Sequence, residues 1–335
     1  MQAAIYGLEG FALKADERDF FRDADAAGFI LFRRNCEDQA QLLRLTDSLR
    51  EISGRDDVPI LIDQEGGRVA RMRPPEWPAF PAAEKFANLY RAAPLSAIEA
   101  ARSNARALAL MLRSCGINVN ALPLLDVRQE GASDIIGDRA LGSEPMQVAA
   151  LGRAVLDGMA SAGVVGIIKH MPGHGRALVD SHKELPIVSA SVEELESDLE
   201  PFERLASAPM GMTAHVVYSA WDTERPASLS PIVIHDIIRE RIGFDGWLMS
   251  DDLGMEALQG DFASRAAGVV AAGCDVALHC SGKIEEMLAV ASAVPAMSPE
   301  GHDRLTRAMA GTRIDLQRID FAEEIAKRDQ LLALA

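Results

Sequence analysis

The hydrophobic positions of this chain fall into short apolar runs separated by longer segments of helical period. Eight runs are apolar on successive positions rather than alternate ones, which is typical of strands buried on both faces of a parallel sheet. They lie at 3–6, 29–32, 59–62, 117–119, 164–168, 210–213, 247–249 and 274–278. Between them, apolar residues recur at helical spacing, as at Leu42, Leu45 and Leu49. The pattern therefore predicts alternating strands and helices.

A glycine stands at each of five junctions between a helical pattern and the apolar run that follows it. We expect these glycines to close the preceding helix in the left-handed conformation, which is least strained for a residue without a Cβ. They are Gly28, Gly116, Gly163, Gly246 and Gly273. A further helix is predicted over 191–206, because Ser191 and Glu194 form a capping-box signature at its start.

The number of strand–helix units indicates the fold class. Eight β–α units in 335 residues favour an α/β protein with one (β/α)₈ TIM barrel over residues 1–335. A doubly wound open sheet has the same alternation, and periodicity alone does not separate the two. No linker or composition shift marks a second domain, and residues from about 301 onward are predicted to be terminal packing helices.

Composition narrows the possible partners. The net charge of -16 and the isoelectric point near 4.9 argue against nucleic acid and against anionic membrane surfaces, since both require a basic footprint. The beginning of the sequence lacks a signal-peptide pattern and no apolar stretch is long enough to span a bilayer, which predicts a cytoplasmic protein. We expect a monomer. Four widely spaced cysteines without a Cys-x-x-Cys pair indicate reduced thiols rather than a metal site.

Polar residues cluster where the predicted strands end, which is where barrel enzymes carry their chemistry. The densest segment follows the fifth run, where three of the seven histidines lie between positions 170 and 182. The strand-end residues are Asp63, Arg71, Asp126, Arg139, Lys169, His170, His215, Asp251, Asp252 and His279. Carboxylates, cations and imidazoles thus follow apolar strands, which stability alone does not explain.

Individual residues in this set have structural alternatives. Asp63 has the chemistry of a helix cap, and Asp251 and Asp252 have that of a helix N-terminus. Arg71 and Arg139 have the option of pairing with surface carboxylates. Each structural alternative is open when one residue is considered by itself. The choice between a structural and a functional role therefore depends on the whole set of strand-end residues.

Five segments together resemble glycoside hydrolase family 3, most closely its single-domain bacterial β-N-acetylglucosaminidases of peptidoglycan recycling. The segments follow the family's order and span about residues 60–260. They are DQEGGRVAR at 63–71, IGDR at 136–139, KHMPGHG at 169–175, DSH at 180–182 and SDDLGM at 250–255. One such motif is weak evidence for the family, whereas five motifs in the family's order are specific evidence.

The resemblance implies a retaining mechanism with a covalent glycosyl-enzyme and no cofactor. The nucleophile maps to Asp251, with Asp252 as a structural neighbour. Most glycosidases use two carboxyl groups, but this subgroup uses the histidine of Asp-x-His, which falls on His182 with Asp180 orienting it. An imidazole with a pKa near ~6.5 is able to donate a proton to a leaving oxygen and then accept one from water.

The resemblance also implies the substrate. Asp63, Arg71, Arg139, Lys169 and His170 align with residues that hold the sugar in the −1 subsite. The implied partner is a small glycan, a muropeptide containing 1,6-anhydro-N-acetylmuramic acid, from whose non-reducing end N-acetylglucosamine is released.

Three alternatives stay open at this point. A phosphorylase of the same family is one, because a histidine acid/base does not repel an incoming phosphate dianion. A second is a metal-dependent barrel hydrolase. Its ligands would come from Asp63, His170, His174, His182 and Asp251. A third is a non-enzymatic sugar-binding protein.

Overall fold

Eight parallel strands form a closed barrel in a computed structural model of the chain, which describes residues 1–312 and 319–334. The barrel strands are β1 (Gln2–Gly7), β2 (Ala26–Leu31), β3 (Ile60–Ile62), β4 (Val119–Asn120), β5 (Val165–Met171), β7 (Met210–Thr213), β9 (Trp247–Asp252) and β10 (Val276–His279). Each pairs with the next in this order, and β1 pairs with β10, where Ala4 lies opposite Ala277. This closure confirms the (β/α)₈ barrel and rules out the open sheet.

Helices surround the barrel and connect its strands. They are α1 (Ala15–Ala24), α2 (Gln39–Ser53), α3 (Ala83–Ala92), α4 (Pro94–Ser114), α5 (Pro145–Ser161), α6 (Val192–Arg204), a π-type helix (Val233–Arg241), α7 (Phe262–Ala272), α8 (Ile284–Ala293), α9 (Pro299–Ala310) and α10 (Phe321–Leu332). Because the strands pack against helices outside and side chains inside, β2 and β3 are buried along their whole length. The continuous apolar runs have this cause.

Three of the five junction glycines have the predicted conformation. Gly116, Gly163 and Gly273 have φ values of 77°, 71° and 117°. The prediction is wrong for Gly28, which lies inside β2, while Asp25 takes the left-handed φ of 45° after α1. A Cβ on Gly28 would lie 2.9 Å from the carbonyl oxygen of the residue before β3, so close approach of two strands explains this glycine.

Close packing also explains the other exception, Gly246, which lies just before β9. A Cβ at this position would lie 2.5 Å from the carbonyl oxygen of Ala208. The left-handed residue in this connection is Gly243, with φ of 75°. A glycine before a strand therefore has two causes, and the sequence does not separate them.

One helix start agrees with the prediction. Ser191 caps α6 and accepts a hydrogen bond from the Glu194 amide, which confirms the capping box. The region from 301 onward contains most of α9 and all of α10, and the remaining positions 313–318 and 335 lie outside the described residues. No helix in the described ranges is both long and apolar enough to cross a bilayer.

A two-stranded sheet outside the barrel was not predicted. It pairs β6 (Ile187–Val188) with β8 (Val217–Tyr218) in parallel. β6 lies in the connection after β5, and β8 lies in the connection after β7. The sheet therefore joins two loops at the end of the barrel where the barrel strands finish. All four cysteines are buried and unpaired, in agreement with the expected thiols.

Candidate active site

A pocket of about 230 Å³ lies where the barrel strands end. Seven of the eight predicted site residues line it: Asp63, Arg71, Arg139, Lys169, His170, His182 and Asp251. The eighth, Asp180, contacts His182 from outside the cavity lining. Residues from four barrel strands and their loops therefore share one site.

A network of ion pairs joins four of these residues to Glu65. The Lys169 Nζ lies 2.7 Å from Glu65 Oε1 and 3.3 Å from Asp63 Oδ1. Arg71 Nη2 donates to Asp63 Oδ2 at 3.0 Å. Arg139 binds Glu65 through a bidentate pair of hydrogen bonds at 2.7 and 2.8 Å. Paired groups of this kind present fixed donors and acceptors to a polar ligand.

The electrostatics of this network keep its carboxylates ionised. Burial raises the pKa of Glu65, but the charges of Lys169 and Arg139 outweigh burial and lower it to about 2. For Asp63, burial again acts against the charges of Lys169 and Arg71, and the pKa is lowered. The alternative of a surface ion pair is therefore wrong for Arg139, whose side chain is 10% exposed.

A local turn positions Asp63 and Arg71 against each other. Gln64 Oε1 accepts the backbone N–H groups of Arg71 and Met72, at 2.8 and 3.0 Å. Asn120 at the end of β4 holds the backbone of Gln64 through two hydrogen bonds of 3.0 Å. Asp63 thus begins a folded loop rather than a helix, so the helix-cap alternative is wrong.

The two adjacent acids at the end of β9 have different environments. Asp251 Oδ1 accepts the Asp252 N–H at 2.8 Å, and nearby charge, chiefly that of His170, outweighs burial and lowers the pKa of Asp251. Burial raises the pKa of Asp252, whose Oδ1 accepts N–H groups from Gly254 and Cys280 at 2.9 and 3.1 Å. Both line the pocket, but Asp252 is engaged by backbone, which fits a structural role.

A buried carboxylate in the loop after β4 holds His170. Asp126 Oδ2 lies 2.7 Å from His170 Nδ1, and Asp126 Oδ1 accepts the N–H groups of His170 and His174 at 3.2 and 2.7 Å. Burial raises the pKa of Asp126, but the charge of His170 and these hydrogen bonds lower it to about 2. An ionised Asp126 accepts Nδ1–H and so fixes the tautomer of His170.

The loop after β5 carries the Asp180–His182 pair. Asp180 Oδ1 lies 2.9 Å from His182 Nδ1 and accepts the His182 N–H at the same distance. The hydrogen bonds to His182 outweigh burial and lower the pKa of Asp180. The His182 side chain is 60% exposed, so its ring lines the pocket while it contacts solvent.

Sequence reasoning missed four polar residues of this site. Glu65 belongs to the first motif, and its position two residues after Asp63 was a usable signal, because alternate residues of an extended segment share a face. Asp126 was recognised only as a strand-end residue. His174 and Ser181 line the pocket and contact each other, which their spacing does not indicate.

The candidate metal ligands line one pocket, but among the described residues no three of them have ligand atoms close enough to share an ion. Within residues 1–312 and 319–334, the His, Cys, Asp and Glu side chains close enough to share an ion form one group, His235, Asp236 and Glu240, which is exposed and away from the pocket. None of the five ligands of the metal-dependent alternative belongs to it.

The fold and site define a class of protein. A closed parallel barrel whose strand ends surround paired carboxylates, cations and imidazoles is the architecture of a barrel enzyme. The pocket's charged groups are hydrogen-bonding partners for a polar substrate rather than an apolar one.

The chain belongs to glycosyl hydrolase family 3, because the family's N-terminal domain matches residues 3–309. A β-hexosaminidase of Methylococcus capsulatus is 39% identical over 322 residues, covering 93% of this chain and 92% of the relative. The native structure of NagZ from Neisseria gonorrhoeae matches with a TM-score of 0.87 and 31% identity, over 100% of this chain and 98% of that one. Its complex with N-trifluoroacetyl-D-glucosamine gives a TM-score of 0.88 at 31% identity, over 99% and 98%.

These similarities confirm the predicted family and enzyme class. The protein is a glycoside hydrolase, and the alternative of a sugar-binding protein without activity is wrong. The family match covers the whole barrel, so all five motifs lie within it.

Proposed function

We propose that this enzyme is a retaining exo-β-N-acetylglucosaminidase with Asp251 as nucleophile and His182 as acid/base. Two observations carry the proposal together. Asp251 and His182 line the same small pocket, and Asp180 Oδ1 lies 2.9 Å from Nδ1 of His182. The names of relatives support N-acetylglucosamine as the released sugar. They include a β-hexosaminidase at 39% identity and a NagZ structure in complex with N-trifluoroacetyl-D-glucosamine.

The first step forms a covalent glycosyl-enzyme. A carboxylate oxygen of Asp251 bonds to the anomeric carbon, and the bond from that carbon to the leaving oxygen breaks. His182, with Nδ1–H donated to Asp180, gives its Nε2 proton to the leaving oxygen. Asp251 suits the nucleophilic role because its lowered pKa keeps it ionised.

The second step returns the enzyme to its starting state. His182 accepts a proton from water through Nε2, the water oxygen bonds to the anomeric carbon, and the bond to Asp251 breaks. The carboxylate of Asp180 stabilises the imidazolium that forms, as the acid of a hydrolytic triad does. The net change is hydrolysis with retained configuration.

The ion-pair network would hold the sugar ring. In the proposal, Asp63, Arg71, Lys169 and His170 contact hydroxyls, and Arg139 fixes Glu65 and Lys169. The pocket volume of about 230 Å³ is below the ~300–1,000 Å³ typical of sites for larger ligands. A space for one sugar unit fits removal of a terminal residue.

The physiological setting belongs to the same proposal. Following the family resemblance, the substrate is a muropeptide containing 1,6-anhydro-N-acetylmuramic acid, recycled in the cytoplasm by a monomer without nucleic-acid or membrane partners. The acidic net charge of -16 supports the last two exclusions.

Trapping the intermediate tests the proposal. Incubation with a 5-fluoro N-acetylglucosaminyl inactivator should add one glycosyl mass, and peptide mapping should locate it on Asp251. Asp251→Asn should gain no mass, and His182→Ala should hydrolyse unactivated glycosides far more slowly than wild type. An adduct on another residue, or near-normal turnover by His182→Ala, contradicts the assignment.

A histidine in place of a second carboxylate favours one further candidate, a phosphorylase, because it does not repel phosphate. Adding phosphate during turnover decides this. Free N-acetylglucosamine as the product supports hydrolysis, whereas its 1-phosphate supports transfer to phosphate. Full activity after exhaustive chelation would exclude the metal-dependent alternative.

A further inference from the structure

The turn that carries Asp180 and His182 makes mainly internal hydrogen bonds. Asp180 accepts the N–H groups of His182, Lys183 and Glu184 at 2.9, 2.9 and 3.1 Å. These bonds fix His182 relative to Asp180. They do not fix either residue relative to the barrel that carries Asp251.

One hydrogen bond attaches this turn to the barrel. Among the residues that the structure describes, the bond that segment 178–185 makes beyond itself joins Ser181 Oγ to His174 Nε2 at 3.1 Å. Ser181 is 3% exposed, although the histidine that follows it projects into solvent. The buried hydroxyl is thus the attachment point of an exposed turn.

His174 is itself a fixed base for this attachment. Its N–H donates to Asp126 at 2.7 Å, and its ring packs edge-on against the His170 ring with centroids 5.6 Å apart. The segment around it is also held, because Tyr218 Oη donates to the Gly173 carbonyl at 2.7 Å. His174 therefore belongs to the rigid end of the barrel.

The hydrogen-bond direction follows from the state of the His174 ring. Burial lowers its pKa to about 4, so the ring is neutral at neutral pH. His174 Nδ1 is buried without a partner in the described ranges, and a buried unpaired acceptor is more tolerable than a buried unpaired N–H. The proton therefore sits on Nε2, which donates to Ser181.

We propose that the His174–Ser181 hydrogen bond is a latch that positions the acid/base His182 over the pocket. Both residues are positioning residues, and the inference rests on the proposed role of His182. When the latch is absent, the turn keeps its internal bonds, but His182 spends less time in place. Steps in which His182 transfers a proton then slow down, whereas attack by Asp251 on a substrate whose leaving group needs no proton does not.

Leaving groups of different acidity isolate this effect. 2,4-Dinitrophenolate departs without a proton, whereas the sugar oxygen of N,N′-diacetylchitobiose needs one. Ser181→Ala should lower kcat/KM for chitobiose about fivefold, the factor expected for one lost hydrogen bond. Its kcat/KM for the dinitrophenyl glycoside should equal that of wild type. Azide, which needs no general base, should accelerate its dinitrophenyl turnover more than that of wild type.

A double-mutant cycle tests the pairing. His174→Ala should produce the same substrate selectivity, and the double variant should be no slower on chitobiose than the slower single variant. Ser281→Ala is the matched control, because it removes a 2.9 Å Ser–His hydrogen bond to buried His279, and neither residue lines the pocket. It should not change the ratio of the two rates.

The outcomes separate the two proposals. Equal losses on both substrates for Ser181→Ala, or no loss on chitobiose, overturn the latch. The His182→Ala variant reports on the mechanism itself, because it should show strong leaving-group dependence and azide rescue. If His182→Ala lacks both, the proposed role of His182 fails. If His182→Ala shows both and Ser181→Ala neither, the latch alone fails.

Discussion

Replacing Asp126 by asparagine tests the most deeply buried charge near the pocket. The carboxylate is fully buried and receives three hydrogen bonds, from His170 Nδ1 and from the N–H groups of His170 and His174. Asparagine keeps the shape and one carbonyl oxygen for the two backbone donors. It removes the charged acceptor that fixes the His170 tautomer, so both stability and activity should change.

The magnitude follows from the pKa of Asp126, which is about 2 in the folded protein against an ordinary 3.8. This difference corresponds to about 2.4 kcal/mol of folding free energy. Because the folded pKa is lowered, the contribution is complete above pH ~4 and is lost as pH falls towards ~2. Asp126→Asn should therefore reduce the free energy of unfolding at pH 7 by roughly 2–3 kcal/mol.

Urea denaturation at pH 7 followed by circular dichroism measures the effect. Asp198→Asn is the matched control, since Asp198 is a second buried acid, paired with Arg176 at 2.6 Å, whose pKa burial raises to about 6. Because burial raises its pKa, the charged form of Asp198 adds no net stability at pH 7, so this variant should lose less than about 1 kcal/mol. We also expect Asp126→Asn to lower kcat/KM at least about tenfold through His170. A loss no greater than that of Asp198→Asn refutes the reasoning.

Two further variants probe other buried charges. Glu65→Gln should reduce the free energy of unfolding at pH 7 by about 3 kcal/mol in urea titrations, because the pKa of Glu65 is lowered to about 2 and two buried cations lose their partner. That difference should shrink only as pH falls from ~4.5 towards ~2, and a stable variant contradicts it. His279→Gln tests a buried imidazole whose pKa burial lowers to about 4. Since the unfolded chain protonates first, wild type should lose about 1.3 kcal/mol through His279 between pH 7.5 and 5.5. The variant should lose that much less over the same range, and an unchanged pH slope contradicts the assignment.

Much of the fold could be predicted because burial on both faces leaves a direct trace in the sequence. Each of the eight apolar runs overlaps a barrel strand, and the strand bounds differ by a few residues. The errors arose where one residue type serves two physical purposes. Glycine occurs at positions 28 and 246 because neighbouring backbone leaves no room for a Cβ, and not because a helix ends there. The sheet of β6 and β8 was missed because two-residue strands carry no periodicity.

The site was predictable to the extent that strand ends converge in a closed barrel. Asp63, Lys169 and Asp251 follow separate apolar runs, and closure brings them into one pocket. The sequence does not show which acids are then joined by hydrogen bonds. In the sequence, Asp126 is one acidic residue after two leucines. Its hydrogen bond to His170 depends on the spacing between β4 and β5, which the sequence does not show.

The proposed nucleophile lies on a barrel strand and the proposed acid/base lies on a loop. The requirements of the two proposed catalytic steps explain these locations. The proposed nucleophile, Asp251, must be ionised when it attacks, and charges near its strand end lower its pKa. An acid/base must exchange protons with water between the steps, which a buried group does slowly. The proposed acid/base, His182, is 60% exposed on a loop and so meets that need, but exposure removes the packing that would hold it in place. A single buried contact such as Ser181–His174 resolves the conflict, because it anchors the turn while leaving the imidazole in solvent.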